Sequence, residues 1–395
     1  MAIAGETSGD ALAAELLQAL PQALATRLPG LNPRCFGAGG DAMAGAGVEL
    51  LIDLTRHSVI GIWEVVRRYH EFRGIFNRLL DAALERQPDL LLCVDYSGFN
   101  RRFAAALKQA ARERDPGGQG WHPLVVQLVS PQVWASRPGR AQQLERDVDL
   151  LLSIFPFEKA WYARHTPRLA VEFVGHPMID RHALALRQLK STPAADRHEI
   201  LLLPGSRQAE LRRHLPALLG AARLLLKDTG PVFRMVLPNE ELLAVARETI
   251  DLVGVSVTTQ IGGLAEALIK ARLALASTGT VTMECALFGV PTVAMYKTSW
   301  PTYLIGKQVV NVRYLAMPNL LADEVVYPEF IQADATAENL AQSARELWCN
   351  AKRHRETQEK LARIIASLGG PGAAQRAAEA VAGLIQGRIT APTGK

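Results

Sequence analysis

At 395 residues the chain is longer than one typical hydrophobic core can serve, so two or three domains are expected. A hydrophobic content of 49% with 21% charged residues is that of an ordinary globular protein. The formal net charge of +5 suits anionic small ligands or an acidic membrane surface, and the lack of dense Lys/Arg clusters argues against a nucleic-acid binder.

The chain opens MAIAGETSGD, read as a short apolar strand over Met1 to Ala4, a small polar turn over Gly5 to Asp10 and a helix over Ala11 to Leu20. The turn lies at the strand's carboxyl end, where open α/β sheets bind ligands, which makes Glu6, Ser8 and Asp10 candidate substrate contacts. RCFGAGGDAM (34–43) joins a short strand to a Gly-rich turn. Its G-x-G-x-x-G spacing is not met, so a dinucleotide site is only a secondary reading. In HSVIGIWEVVRRYHEFRGIF (57–76), apolar Val59, Ile60, Ile62, Trp63, Val65 and Val66 are interleaved with Arg67, Arg68, His70 and Arg73. That pattern fits a helix packed by one face, or an apolar wall or membrane-surface patch with a basic rim for an acylated or anionic partner.

DLLLCVDYSGFN (89–100) is a continuous apolar run and reads as a buried parallel strand ending at Asp95. A carboxylate at that end is a candidate general base; capping the next helix is its structural alternative. PLVVQLVSPQVWASRPGR (123–140) repeats the pattern, with Ser130, Gln132, Trp134 and Arg137 in its polar loop as candidate substrate contacts. DLLLSIFPFE is read as a strand ending at Phe157 and Glu158, and AVEFVGHPMID (170–180) closes a further strand with His176 in a Gly-His-Pro turn. KSTPAADRHE (190–199) breaks the periodicity and reads as a linker.

After it the α/β alternation restarts, with strands near 200–203, 232–237, 255–261 and 272–276 and helices such as Gln208 to Lys227. LLLPGSRQAE (201–210) is a strand, a tight turn and a helix start, with Ser206 as predicted cap and Arg207 at the helix N-terminus. Free N–H groups beside a guanidinium make a diphosphate seat. A second such turn, Thr278, Gly279 and Thr280, follows the strand ending at Ser277, and Glu284 lies about a turn further on. Glu284 is read as a ribose contact or a buried salt-bridge partner. MPNLLA (317–322) and PEFIQ (328–332) read as apolar loops, and the tail beyond Gly369 as an Ala-rich helix. The expected organisation is α/β: two Rossmann-like, doubly wound domains facing across a cleft, at 1–190 and 199–368, followed by a C-terminal helix and tail at 369–395.

Cys35, Cys93, Cys285 and Cys349 stand far apart with no CxxC pair, which argues against a zinc site and a disulfide framework. Neither a signal peptide nor an apolar run of roughly 18 residues is visible, so a cytoplasmic protein is expected.

Two Rossmann-like halves with two phosphate-seat turns in the second suggest a nucleotide-sugar transferase. AGETSGD, GIWEVV, SPQVW, FPFE, VGHPM, LLPGSR, the Thr-Gly-Thr…Glu stretch, MPNLLA and PEFIQ follow one another from residue 4 to about residue 332, in the order seen in the lipid-A-disaccharide synthase family. The chain resembles that family over nearly its whole length. The resemblance implies the GT-B fold and an inverting transfer of 2,3-diacylglucosamine from its UDP derivative to 2,3-diacylglucosamine 1-phosphate (lipid X). The implied products are the β-1,6-linked disaccharide 1-phosphate of lipid A synthesis and UDP.

It further implies Asp95 as base, Ser206, Arg207 and Thr278 to Thr280 at the leaving UDP, and Glu284 at the ribose. Asn319 of MPNLLA is implied as a substrate contact, and Ile60, Ile62, Trp63 and Val65 as an acyl-chain or membrane contact. No cofactor or metal is implied. The expected setting is the inner face of the inner membrane, as a peripheral protein, with a homodimer allowed. The chain departs from the family's usual Asp-Ala-Pro-Asp-Phe-Asn, having Asp95-Tyr96-Ser97-Gly98-Phe99-Asn100 and so lacking the second aspartate. Ser136 replaces a usual Trp, and Thr278 a usual Ser. Two other readings compete: an epimerase or transferase of an unacylated UDP-sugar, and a nucleotide-binding protein without catalysis.

Overall fold

The computed structural model describes residues 1–57, 69–115, 120–136, 138–193, 196–229, 231–309 and 312–390. Ile60, Ile62, Trp63, Val65 and Arg137 lie outside the described residues. The chain forms two compact units, one of Met1–Pro177 with Gly369–Lys395, the other of Met178–Leu368. The break therefore falls at 177/178, ahead of the 190–199 segment read as the linker. The terminal helix belongs to the first unit instead of standing apart.

In the first unit, among the described residues, β1 (Ala2–Ala4), β2 (Phe36–Gly39), β3 (Glu49–Asp53), β4 (Leu90–Val94), β5 (Leu124–Leu128), β6 (Leu150–Ser153) and β7 (Ala170–Phe173) form one parallel sheet in the order 3-2-1-4-5-6-7. β1 and β4 run level, with Ala4 opposite Val94, so Gly5 and Asp95 leave the sheet side by side at the point where strand order reverses. Crevices at such switch points are the ligand sites of open α/β sheets. The buried run Leu91–Val94 carries no side-chain charge because helices cover both faces of a parallel sheet.

The helix predicted from Ala11 already starts at Thr7 and runs to Arg27. Ser8 and Asp10 therefore stand on its first turn and not in a loop. The helix Ala373–Thr390 lies along it, burying Ala377, Ala378, Val381 and Ala382, small residues that let two helix backbones approach. Arg376 fixes this return by donating from Nε to the Val174 carbonyl at 2.8 Å.

In the second unit β8 (Glu199–Leu203), β9 (Val232–Leu237), β10 (Thr258–Ile261), β11 (Ala271–Ser277), β12 (Thr292–Tyr296) and β13 (Glu329–Ile331) form a parallel sheet in the order 10-9-8-11-12-13. Leu203 pairs with Ala276, so the turns after β8 and β11 emerge together at this sheet's own reversal point. Two segments read as loops are regular. MPNLLA is a helix, Met317–Ala322, started by Pro318, and PEFIQ contributes the edge strand β13. Phe157 and Glu158 lie in the helix Pro156–His165 and not at a strand end. No described helix is long and apolar enough to cross a membrane.

Candidate active site

Asp95 follows β4 directly, and it and Tyr96 both adopt left-handed backbone, with φ of 46° and 42°. Such conformations are uncommon without glycine and cluster at functional sites. The helix Ser97–Arg114 is capped by Tyr96, so Asp95 is not its N-cap. The carboxylate instead receives the Tyr96 N–H, and burial raises its pKa above the ordinary aspartate value. Desolvation disfavours the charged form and makes the group a better base. The Tyr96 ring covers Gly5 so closely that a Cβ there would lie 2.2 Å from it, while a Cβ on Gly9 would lie 3.8 Å from Asp95 Cβ. The missing side chain of Gly5 thus lets the β1 and β4 connections meet, whereas Gly9 has ordinary contact room. Glu6 and Ser8 are exposed beside this junction.

Asp10 has an internal task. It is 3% exposed, and its carboxylate accepts from the N–H groups of Gly40 (2.7 Å), Ala42 (2.9 Å) and Met43 (3.2 Å). It therefore caps the Gly-rich turn after β2 and is not available to a substrate. The same bonds consume the donors that a dinucleotide pyrophosphate would need there.

At the ends of β5 and β6 the structure gathers Ser130, Trp134, Glu158 and Tyr162. Trp134 Nε1 donates to Glu158 Oε1 at 3.0 Å, and the Ser130 and Tyr162 hydroxyls lie 2.9 Å apart. The Phe155 N–H reaches Glu158 Oε2 at 3.4 Å. Burial pushes the Glu158 carboxyl up to about 7, against the lowering bonds from Trp134, Ser130 and Phe155. Sequence reasoning missed Glu158 as a site residue; the only signal was an acidic residue one turn into a helix beside a tryptophan loop. The polar atoms of Ser130 and Trp134 are thus engaged internally, leaving Trp134 to offer its ring, which meets Phe157 edge-on at 5.0 Å. His176 lies against Phe155 with ring centroids 5.3 Å apart, and Gln132 is exposed.

In the second unit, the turns after β8 and β11 border a cavity of about 630 Å³. Ser206, Arg207, Thr278, Gly279, Thr280 and Glu284 all line it, as do Gly205, Glu210, Tyr296 and Leu315. The helix begins at Gln208, and Leu211 N–H donates to the Arg207 carbonyl at 2.9 Å. Arg207 is therefore the cap residue, and Ser206, predicted as the cap, precedes it. Gly205 has φ of 114°, and a Cβ there would lie 3.1 Å from Glu210 Oε2, so both conformation and space call for glycine. Arg207 pairs with Glu210 at 2.9 Å. Among the described residues Glu284 has no ion-pair partner, and burial raises its pKa.

Two residues hold this cavity without reaching its ligand space. His214, fully buried, bonds the Pro204 carbonyl through Nδ1 at 2.7 Å and accepts the Lys297 N–H at Nε2, 2.9 Å away. This fixes the neutral tautomer with the proton on Nδ1, and burial lowers the pKa. Asn319, expected to touch substrate, is fully buried and saturated. Its Nδ2 donates to the Tyr327 carbonyl and to Glu329 Oε1, and its Oδ1 accepts from Val326 and Tyr327 N–H. An amide has no further capacity, so Asn319 is a structural residue that braces Leu315 through Glu329.

A family profile described as Lipid-A-disaccharide synthetase matches residues 1–383. The lipid-A-disaccharide synthase of Myxococcus xanthus is 35% identical over 397 residues, covering 98% of each chain. That of Solibacter usitatus is 34% identical over 392 residues, covering 98% of this chain and 97% of its own. Among solved structures, a putative UDP-N-acetylglucosamine 2-epimerase from Listeria monocytogenes superposes with a TM-score of 0.59 at 14% identity, covering 99% of this chain and 96% of its own. The UDP-GlcNAc 2-epimerase of Neisseria meningitidis bound to UDP-GlcNAc gives 0.57 at 14%, covering 94% and 96%. The glycotransferase of kitacinnamycin gives 0.57 at 16%, covering 98% and 97%. These structural likenesses establish the GT-B fold.

Proposed function

The chain belongs to the lipid-A-disaccharide synthetase family and is a glycosyltransferase of lipid A biosynthesis; from that premise we propose that it moves 2,3-diacylglucosamine from UDP-2,3-diacylglucosamine to lipid X with inversion. The acceptor 6-hydroxyl attacks the donor's anomeric carbon from the face opposite UDP. Its proton passes to Asp95, the bond from the anomeric carbon to the β-phosphate oxygen breaks, and UDP departs with the electron pair. The products are the β-1,6 disaccharide 1-phosphate and UDP.

The observation that carries this reading is the cavity at the β8/β11 reversal point, where two helix starts and Arg207 converge. N–H groups at helix starts and a guanidinium stabilise the charge that grows on a departing diphosphate. Glu284, a carboxylate without an ion-pair partner among the described residues, is assigned to the ribose hydroxyls. The raised pKa of Asp95 suits proton removal from a weakly acidic hydroxyl. Glu6, Ser8 and the rings of Trp134 and His176 are assigned to the acceptor. The apolar 59–66 segment is assigned to acyl chains at the membrane surface on the cytoplasmic side.

The test is UDP release from UDP-2,3-diacylglucosamine in detergent, with and without lipid X. Release that depends on lipid X and yields the disaccharide 1-phosphate is expected. Turnover of unacylated UDP-N-acetylglucosamine with none of the acylated donor would sink the assignment and favour the epimerase-like reading.

A further inference from the structure

The carboxyl ends of β4 and β5 carry three non-glycine residues in left-handed backbone: Asp95, Tyr96 and Val129, the last at φ 66°. For a β-branched valine this is a true outlier, and such residues persist only where their surroundings over-determine them. One side chain touches both turns. Gln127 is 2% exposed, and its Nε2 lies 3.1 Å from the Leu128 carbonyl, 3.1 Å from that of Val129 and 3.4 Å from that of Asp95. The Asp95 carbonyl also accepts from Asn100 Nδ2 at 3.0 Å, and Asp95 N–H donates to the Leu128 carbonyl at 2.9 Å. Gln127 is thus an amide between the turn that carries Asp95 and the turn that leads into Ser130 and Trp134.

We propose that Gln127 is a positioning residue for the transfer reaction, holding the left-handed turns at Asp95 and Val129 in register and so fixing where the Asp95 carboxylate meets the acceptor hydroxyl. This rests on the reading of Asp95 as general base. An apolar side chain of equal length would fill the space but supply no donor. Removing the amide takes from the Asp95 carbonyl one of its two side-chain donors and frees the Val129 carbonyl, while the Asp95 N–H bond to Leu128 and the strand pairing remain. The effect is therefore local to the site.

The groups facing Asp95 set the expected pH response. From its own turn comes the Tyr96 N–H; the charge of Glu6, on the β1 connection, acts on the neighbouring Tyr96 phenol. The raised pKa of Asp95 comes from burial, so a turn that relaxes toward water lowers it again.

The experiment compares Gln127→Met, Gln127→Glu and Asp95→Asn with the wild-type enzyme in kcat, donor KM, thermal midpoint and the acid limb of the kcat profile. Glutamate buried among carbonyls is held protonated and offers one donor, where glutamine offers two and methionine none. The expected order of kcat is Gln, then Glu, then Met. The methionine variant should fall about 10- to 100-fold, as misplacement of a reacting group by about an ångström does. Donor KM should stay unchanged and the acid limb should move to lower pH. If the methionine variant fails to fold, the glutamate variant carries the same comparison. Wild-type kcat and an unmoved acid limb in folded variants, beside an inactive Asp95→Asn, overturn the clamp. An active Asp95→Asn overturns the base assignment instead.

Discussion

Arg207 and Glu210 make opposite contributions to the nucleotide seat. The pair is 2.9 Å apart, with Arg207 61% and Glu210 18% exposed, so it is a solvent-screened contact worth at most about 1 kcal/mol. Glu210 Oε2 also lies where a Cβ on Gly205 would meet it at 3.1 Å, so this carboxylate stands inside the proposed diphosphate seat. Binding UDP requires Arg207 to exchange that carboxylate for phosphate oxygens. Charge-assisted bonds are worth about 1.5–3 kcal/mol, from which the lost pair subtracts up to about 1 kcal/mol. Arg207→Ala should therefore weaken UDP by about 0.5–3 kcal/mol, about 2- to 150-fold in Kd. Glu210→Gln should act the other way, releasing Arg207 and removing a like charge, for UDP up to about fivefold tighter. Titration calorimetry with UDP at fixed ionic strength measures both, and the gain in Glu210→Gln should shrink as salt rises. Weaker UDP binding by Glu210→Gln would refute the competition and make Glu210 part of the binding surface.

Three further substitutions separate catalytic from structural groups. Asp95→Asn should lower kcat by about 10²- to 10⁴-fold with no loss of thermal midpoint, because the buried ionised carboxylate is itself costly, checked by steady-state rates beside calorimetry. Glu158 has its folded pKa raised from 4.5 to about 7, so the folded state holds more protons than the unfolded one in that window. Stability should fall as pH rises from about 4.5 to about 7, by on the order of 3 kcal/mol, and denaturation of Glu158→Gln against pH should lack that slope. Asn319→Ala should lose about 2–4 kcal/mol in urea unfolding, because it strands the Tyr327 carbonyl and two N–H groups. Its effect on kcat should follow only from the disturbed Leu315 wall.

The fold was legible because strand-length apolar runs such as LLLCV and EILLL are unmistakable when separated by helices with one apolar face. That Arg207, Thr278–Thr280 and Glu284 share one cavity was legible for the same topological reason: the turns and helix starts that follow parallel strands are delivered to one rim. What sequence could not separate was a polar group facing ligand from one facing protein. Asp10 and Asn319 have the residue types of a binding site, yet their hydrogen-bonding capacity is used by other segments of the protein: Gly40, 30 residues on, for Asp10, and the loop at Val326 and Tyr327 with Glu329 for Asn319. Glu158 erred in the other direction, because its burial depends on Ser130 and Trp134 arriving from the separate segment after β5. Gln127 looked like one polar residue in an apolar strand; its role appears only with the left-handed angles at Asp95 and Val129.

The two units resolve the same electrostatic demand differently. A helix start leaves N–H groups that need an anion. In the second unit those at Arg207 and Thr280 border a cavity, which the proposed function gives to the diphosphate. In the first, those at the Gly-rich turn are answered from within by Asp10, which makes that turn a structural knot between β1 and β2. Asp10→Ala removes the internal anion and leaves a space of carboxylate size beside three N–H groups. The variant should lose about 2–4 kcal/mol of stability. Formate, which reproduces the deleted carboxylate, should restore part of its thermal midpoint, while chloride at the same ionic strength should not. Equal effects of the two salts, or formate stabilising the wild-type protein as strongly, would show that the three N–H groups do not form the anion seat assigned to them.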